Sequence, residues 1–292
     1  MRMINFVGYR KWWYLLSGVV IVAGMISFGF RGLNLGIDFK GGNLFEIEFE
    51  KTLTVHDIRK SLEKIGFGDA IIQQVSSTAD HYVIKTNLLT KEQKEKVKGE
   101  LQQLGAKKFL RDESVTPKFG QKLTWDAVKA LGISLIAILI YITIRFEFRI
   151  AVAAIIELIH DTLVFIGIYS ISFREVTTST VAAYLTILGY SLMDSIVIFD
   201  RIRENKNVLR KLPFDEVVNS SINQTLARSI NTTLATLIPV ICLLVIGGDT
   251  LKDFAFALTI GILSGAYSSI FNGSQIIVSW NRVSPKYKVS SK

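Results

Sequence analysis

The sequence predicts an α-helical membrane protein with six transmembrane helices and one α+β domain outside the bilayer. Three observations lead there. Apolar residues make up 49% of the chain, while the charged residues, 20%, are clustered rather than spread. Six stretches, 12–30, 127–145, 150–172, 180–200, 230–247 and 254–280, reach the roughly 20 apolar residues that a bilayer crossing needs. Basic residues flank these stretches, mostly at one set of alternating ends.

The net charge of +9 would suit a nucleic-acid partner, but its location argues against one. Between Arg31 and Asp126 stand 16 basic and 14 acidic residues, a near balance. The remaining bases lie around the apolar runs and read as a topology signal. With a cytoplasmic N-terminus, the inner segments hold Arg2, Arg10, Lys11, Arg145, Arg149, Arg201, Arg203, Lys206, Arg210, Lys211, Arg228, Arg282, Lys286, Lys288 and Lys292. The two short outer loops hold only Arg174 and Lys252. Both termini are therefore expected in the cytoplasm. The parts are a first span within 1–30, an extracytoplasmic domain at 31–126, a five-helix bundle at 127–280 with a cytoplasmic loop at 201–228, and a tail at 281–292.

The first span follows Arg10 and Lys11 as a signal peptide would, yet it is too long for a signal core. No small-x-small site follows it, so it reads as an uncleaved anchor. Trp12, Trp13 and Tyr14 then form an aromatic belt at the inner interface. In the long inner loop, Phe214, Val217, Val218, Ser221, Ile222 and Leu226 make a helical stripe after Pro213. An interfacial amphipathic helix and a helix packed on the bundle both fit that stripe. Cys242, the one cysteine, lies in an apolar run, which leaves no disulfide framework and no thiolate metal site.

In the outer region, residues 44–50 alternate strictly, with Phe45, Ile47 and Phe49 on one face, as a half-buried strand does. Thr54 and Asp57 form a capping-box pattern that opens a helix with Val55, Ile58, Leu62 and Ile65 inward and Gly66 at its end. Strands follow at 70–75 and 81–86. Thr90 and Gln93 cap a second helix with Val97, Leu101 and Leu104 inward and Gly105 at its end, and a strand follows near 107–116. The order β-α-β-β-α-β is the ferredoxin-like pattern. Lys91, Lys94, Lys96 and Lys98 interleave with Glu92, Glu95 and Glu100, so that helix face is solvated rather than an anion site. His56 and His81 have no ligand-spaced partners, and no metal is expected.

Walker A, G-x-G-x-x-G, H-E-x-x-H and G-x-S-x-G motifs do not occur, so no enzyme activity and no cofactor is expected. Chemistry concentrates instead inside the spans, where an ionisable group costs about 2.5–3.5 kcal/mol to insert. Glu157, His160 and Asp161 stand at i, i+3 and i+4 on one face of the third span. Asp194 lies two-thirds along the fourth with Ser191 nearby. Arg228 enters the fifth, followed by Asn231, Thr232 and Thr233. Three acids, a histidine and an arginine at similar depth suit a proton path. Helix-to-helix hydrogen bonding is the other reading, most evenly matched for Glu157.

Several motifs then carry a resemblance. The run Gly36-Ile37-Asp38-Phe39-Lys40-Gly41-Gly42 follows the first span, and Leu185–Leu192 continues through Asp194 into Ile198–Asn205. Asn223–Leu226 continues through Arg228 to Thr232, and Tyr267–Phe271 completes the set. In order and over nearly the whole chain, these motifs resemble the SecD/SecF family of bacterial protein-export subunits, in its SecF branch. The resemblance implies an RND-like half-unit of one span, an external domain and five further spans in the cytoplasmic membrane. It implies a complex with SecD, work beside the SecYEG translocon and its accessory subunits on unfolded polypeptide, and energy from the proton gradient. It assigns proton coupling to Asp194 and Arg228. A half-unit of a proton-driven RND-type small-molecule exporter is the alternative. The chain departs from the family at Met193, where Asn is usual, and at Asn272, Gly273 and Gln275, which replace a more apolar, proline-containing stretch. Gly36, Gly41 and Gly42 around Asp38 read as a turn from membrane helix into strand rather than as a ligand site.

Overall fold

The computed structural model describes residues 4–75 and 80–284. Arg2, Lys286, Lys288, Lys292 and most of the expected tail at 281–292 lie outside the described residues. The chain divides into two compact units. One comprises Met1–Asn34, Ala130–Glu175 and Ser179–Lys292, the other Leu35–Lys129 and Val176–Thr178.

Among the described residues, six helices are long and apolar enough to cross a membrane. The first is α1 (Arg10–Arg31). After β1 (Asn34–Leu35) comes α2 (Ile37–Lys40), and then the α+β unit: β2 (Gly42–Phe49), α3 (Val55–Lys64), β3 (Ile71–Gln74), β4 (His81–Thr86), α4 (Lys91–Gln103) and β5 (Ala106–Val115). The remaining helices are α5 (Pro117–Arg145), α6 (Phe148–Ser172), α7 (Thr178–Val208) after β6 (Glu175–Val176), α8 (Phe214–Ile246), and α9 (Asp249–Ser268). A π turn at Ser269–Gly273 joins α9 to α10 (Ser274–Val283), so these three pieces make one span.

One expectation changes. Residues 201–228 are not a long loop, because α7 runs on to Val208 and α8 begins at Phe214. The expected amphipathic segment is the first half of α8. Its stripe is buried: Phe214, Val218 and Ile222 pack with Ile198, Phe199 and Ile202 of α7 and Ala151 and Ala154 of α6 in the bundle core. Burying that face against protein favours the packed arrangement over an interfacial one. By contrast, Ile133, Ile136, Ile140 and Ile144 of α5 and Ile230, Leu234, Ile238 and Val245 of α8 point outward. Outward apolar side chains cost nothing in hydrocarbon.

In the α+β unit four strands lie in the order β3-β4-β2-β5, with every neighbouring pair antiparallel. Phe45, Ile47 and Phe49 of β2 meet Ile58 and Leu62 of α3, Tyr82 and Ile84 of β4, and Val97 and Leu101 of α4. All are essentially inaccessible, and burying such a side chain contributes about 1.5–3 kcal/mol. Both predicted capping boxes are present. Thr54 Oγ1 accepts from Asp57 N–H at 3.1 Å, and Thr90 Oγ1 from Gln93 N–H at 3.3 Å. Buried Asn43 donates to Ser114 Oγ (2.6 Å) and accepts from Leu89 N–H (2.8 Å), tying β2 to β5 and to the segment that leads into α4.

Carboxylates of this unit are held in their charged forms. The Lys107 ammonium, 2.5 Å from Glu48 Oε1, holds the Glu48 carboxyl below its ordinary value. The Thr54 hydroxyl and backbone N–H do the same for Asp57. Burial pushes Asp112 up, but Lys94 (2.6 Å) and Lys98 (2.7 Å) outweigh it, and the net shift is downward. Depressed folded-state values contribute stability that is complete above the unfolded value of about 4 and is lost as pH falls through the folded values. Amide-exchange protection of β2, α3 and β5 in the full protein should therefore hold from neutral pH to about pH 5 and fall below about pH 4. Undiminished protection in strong acid would show that these pairs contribute nothing. His81, expected to be isolated, comes together with Glu48 and Asp80, their ligand-type atoms within 4.8 Å of one another, although Lys107 already holds Glu48.

Candidate functional site

On α6, Glu157 and Asp161 sit one turn apart and are 1% and 2% exposed. Five serine hydroxyls surround them. Glu157 Oε1 accepts from Ser195 (2.5 Å) and Ser269 (2.7 Å), with Ser268 at 3.3 Å. Asp161 Oδ2 accepts from Ser191 (2.7 Å) and Ser268 (2.9 Å), and Oδ1 from Ser264 (2.7 Å). Glu157 Oε2 has no partner. Interhelical hydrogen bonds in membranes average about 0.6 kcal/mol, whereas burying an ion costs several kcal/mol even after relaxation. Among the described residues neither carboxylate makes an ion pair with lysine or arginine.

Small residues bring these groups together. A Cβ on Gly261 would fall 2.2 Å from the Ile187 side chain, and one on Gly265 would fall 2.8 Å from Ser191 Cβ. The i, i+4 glycine pair therefore serves contact between α9 and α7 within the chain. The π turn does the rest. Its wider winding turns Ser269 toward Glu157 and sets Gly273 against Oε2, where a Cβ would be 2.2 Å away. Such turns are frequent at functional sites.

His160 extends the network outward. Its Nδ1 is 3.1 Å from Asp161 Oδ1, and Asn272 Nδ2 is 3.1 Å from Nε2. Because Asn272 Nδ2 is a donor, Nε2 accepts and the ring proton sits on Nδ1, directed at Asp161. Asn272 also donates to Ser17 Oγ (2.9 Å), which lies 3.0 Å from Tyr267 Oη. The Tyr267 ring stacks on His160 at 6.1 Å.

Asp194 lies apart from this cluster. Ser191 and Ser195 on α7 serve the α6 carboxylates, while Asp194 is beside Arg228, Ser229 and Thr232 of α8. It is 5% exposed, and its Oδ2 and the Ser229 hydroxyl are both unpartnered. Arg228 is exposed and, among the described residues, forms no ion pair with Asp194. Thr232 Oγ1 donates back to the Arg228 carbonyl (2.9 Å), and Asn231 is exposed. Met193 and Arg228 line a crevice of about 620 Å³ together with Asp200, Arg201, Gln224 and Thr225. The five ionisable positions expected to converge thus form two groups. Glu157, His160, Asp161 and Ser191 make one, Asp194 and Arg228 the other.

Sequence reasoning missed Ser195, Ser264, Ser268 and Ser269. A signal was present: Ser191/Ser195 and Ser264/Ser268 repeat on two helices the four-residue spacing of Glu157/Asp161 on a third. The turn motif, in contrast, is structural. Gly36 and Gly41 bracket α2, and Gly41 has φ 80° with its Cα face against Pro117, 2.7 Å from where a Cβ would lie. Gly42, at φ 142°, abuts the Thr86 carbonyl. Asp38 Oδ2 accepts from Thr178 N–H (2.9 Å) and Oγ1 (2.5 Å), placing a carboxylate at the first residue of α7.

Fold and site together define a polytopic helical membrane protein whose bundle buries carboxylates that, among the described residues, make no ion pair with lysine or arginine. The profile described as "Protein export membrane protein SecD/SecF, C-terminal" matches residues 95–283, and that of the "SecD/SecF GG Motif" matches residues 26–53. Protein translocase subunit SecF of Thermobaculum terrenum is 39% identical, over 95% of this chain and 94% of its own length. SecDF of Thermus thermophilus is also 39% identical, but this chain spans only 38% of it. A crystal structure of SecDF from Thermus superposes with a TM-score of 0.88 at 37% identity, covering 96% of this chain and 39% of that one. The chain belongs to the SecD/SecF family of protein-export membrane proteins.

Proposed function

We propose that this chain is a membrane subunit of the Sec export machinery that pairs with a SecD-type half and uses the proton gradient to assist polypeptide translocation through SecYEG. Family membership over nearly its whole length supports the export role. The proton-coupling part rests on one observation, the buried Asp194 carboxylate with an unpartnered oxygen beside a mobile-length cation, Arg228. A carboxylate so placed can exchange a protonated state for an ionised one paired with the arginine, and a helix pair can follow that change. This chain spans 38% of the SecDF relative and 94% of the SecF relative, which supports a SecD-type half as its partner. Depleting this chain should remove the gradient-stimulated fraction of export in membrane vesicles. Unchanged stimulation would overturn the reading.

Orientation follows from the basic flanks, with both termini in the cytoplasm and the α+β unit outside. In a Cys242→Ser background, Lys96→Cys should react with an impermeant maleimide added to intact cells stripped of outer barriers. Lys206→Cys should react only after permeabilisation. Labelling of Lys206→Cys from outside would invert the topology.

A further inference from the structure

The Glu157–Asp161 cluster is not used by the mechanism built on Asp194. Its hydrogen-bond inventory is uneven in an informative way. Ser191, Ser195, Ser264, Ser268 and Ser269 each own one hydroxyl hydrogen, and His160 offers Nδ1–H. These six donors serve three of the four carboxylate oxygens and leave Glu157 Oε2 with none, although Glu157 is 1% exposed. Ser268 Oγ reaches both carboxylates, at 3.3 Å and 2.9 Å, so the two lie within two hydrogen-bond lengths of each other. Two carboxylates that close, walled off from water and without a Lys or Arg ion pair, cannot both be ionised at neutral pH.

We propose that Glu157 and Asp161 form a second proton-binding site in the bundle, with one exchangeable proton for the two carboxylates, carried on Glu157 and separate from Asp194. The proton forms its O–H bond at Glu157 Oε2, the one oxygen without a donor, and breaks it when water gains access to the cluster. Asp161 remains the acceptor of its three hydroxyls and of His160. The groups facing the pair are His160 from α6, Ser191 and Ser195 from α7, and Ser264, Ser268 and Ser269 from α9 and the π turn. Beyond them, Tyr184 bonds Thr162 of α6 (2.5 Å), and Tyr267 stacks on His160. Tyr169, lower on α6, points instead toward the Asp253 carbonyl. Gly273 packs against the buried Oε2, and any side chain there would occupy the space of that oxygen. The use of this site in export rests on the proton-coupled reading above, but its occupancy does not.

The test is proton uptake by the full chain, with its co-purifying partner, in lipid nanodiscs stepped from alkaline to mildly acidic pH. Glu157→Gln should take up one proton fewer than the parent. The double variant Glu157→Gln/Asp161→Asn should also lose one and not two, because the pair shares a single proton. Unchanged uptake in Glu157→Gln, or two protons lost in the double variant, would overturn the proposal. So would displacement of the proton by sodium chloride but not by choline chloride, since an all-oxygen cluster of this kind also suits a hard cation. If Glu157→Gln fails to accumulate, infrared spectra of Asp194→Asn decide the matter. They must retain the C=O band of a buried protonated carboxyl at neutral pH, and its absence rejects the site. An export assay on Asp194→Asn tests proton coupling itself, so either idea can fail without the other.

Discussion

Asp194→Asn should abolish the gradient-dependent part of protein export while leaving accumulation and partner binding intact. Asparagine has the shape of the protonated acid, so the packing against Ser229 and Thr232 survives while the negative charge can never form. On the proposed coupling, what would be lost is a cycle between a neutral carboxyl and an anion paired with a cation. Each charge moved across the membrane potential supplies about 2.3 kcal/mol per 100 mV. A bias of that size shifts a two-state equilibrium by roughly fiftyfold, enough to drive a conformational step. Arg228 is exposed, makes no ion pair with Asp194 among the described residues, and lines a crevice together with Met193. Arg228→Ala should remove gradient stimulation as well, whereas Arg228→Lys should restore part of it, because a single positive charge is the element required. Full gradient-stimulated export in Asp194→Asn vesicles would reduce Asp194 to a packing residue.

Much of this architecture was written in local signals. Strict alternation at Phe45, Ile47 and Phe49 and the two capping boxes located the α+β elements to within a residue or two, because burial on one face and satisfaction of helix ends act over short range. The six spans were legible for the same reason. Where α7 ends and α8 begins was not. The polar stretch from Arg201 to Arg228 reads as a loop in hydropathy, but Asn205 donates to Ser221 Oγ (2.9 Å) and Gln224 Oε1 (2.9 Å). Those bonds bind the two helices beyond the apolar zone. For the site, charge in hydrocarbon is rare enough to expose Glu157, Asp161 and Asp194 by itself. Serine is cheap in a membrane helix, so the hydroxyl ring carried no comparable alarm. Nor could sequence show that Asp194, three residues after Ser191, faces another helix. Asp194 lies only about 60° around α7 from Ser191, on the side away from Ser195, and only the packing fixes which neighbour stands where.

The largest structural effect is expected at Gly167. On α1 the only fully buried residues are Ser17 and Gly24, so the helix docks through very little side-chain surface. It touches α6 backbone to backbone: a Cβ on Gly24 would lie 2.5 Å from Gly167 Cα, and one on Gly167 would lie 2.8 Å from Gly24 Cα. Neither helix can yield locally, since the obstructing atoms are main chain. Close approach of this kind is what holds membrane helices together in the absence of a hydrophobic drive between them. Gly167→Leu should therefore push α1 off α6, with a cost of about 1–3 kcal/mol or more from overpacking. The separation can be read by crosslinking. Ser27 and Ser170 have hydroxyls 2.9 Å apart across the same contact, so Ser27→Cys/Ser170→Cys in a Cys242→Ser background should form a disulfide under mild oxidation. Adding Gly167→Leu should suppress that crosslink by an order of magnitude, and Gly167→Ala should do so only partly. Gly18→Leu, on the same helix with nothing within 4 Å of its would-be Cβ, should leave the crosslink as it was. Equal crosslinking in the Gly167→Leu protein would mean that α1 is held elsewhere, by the Ser17–Asn272 and Tyr14–Ser279 hydrogen bonds (2.9 and 3.2 Å), and that the glycine contact merely permits what those bonds enforce.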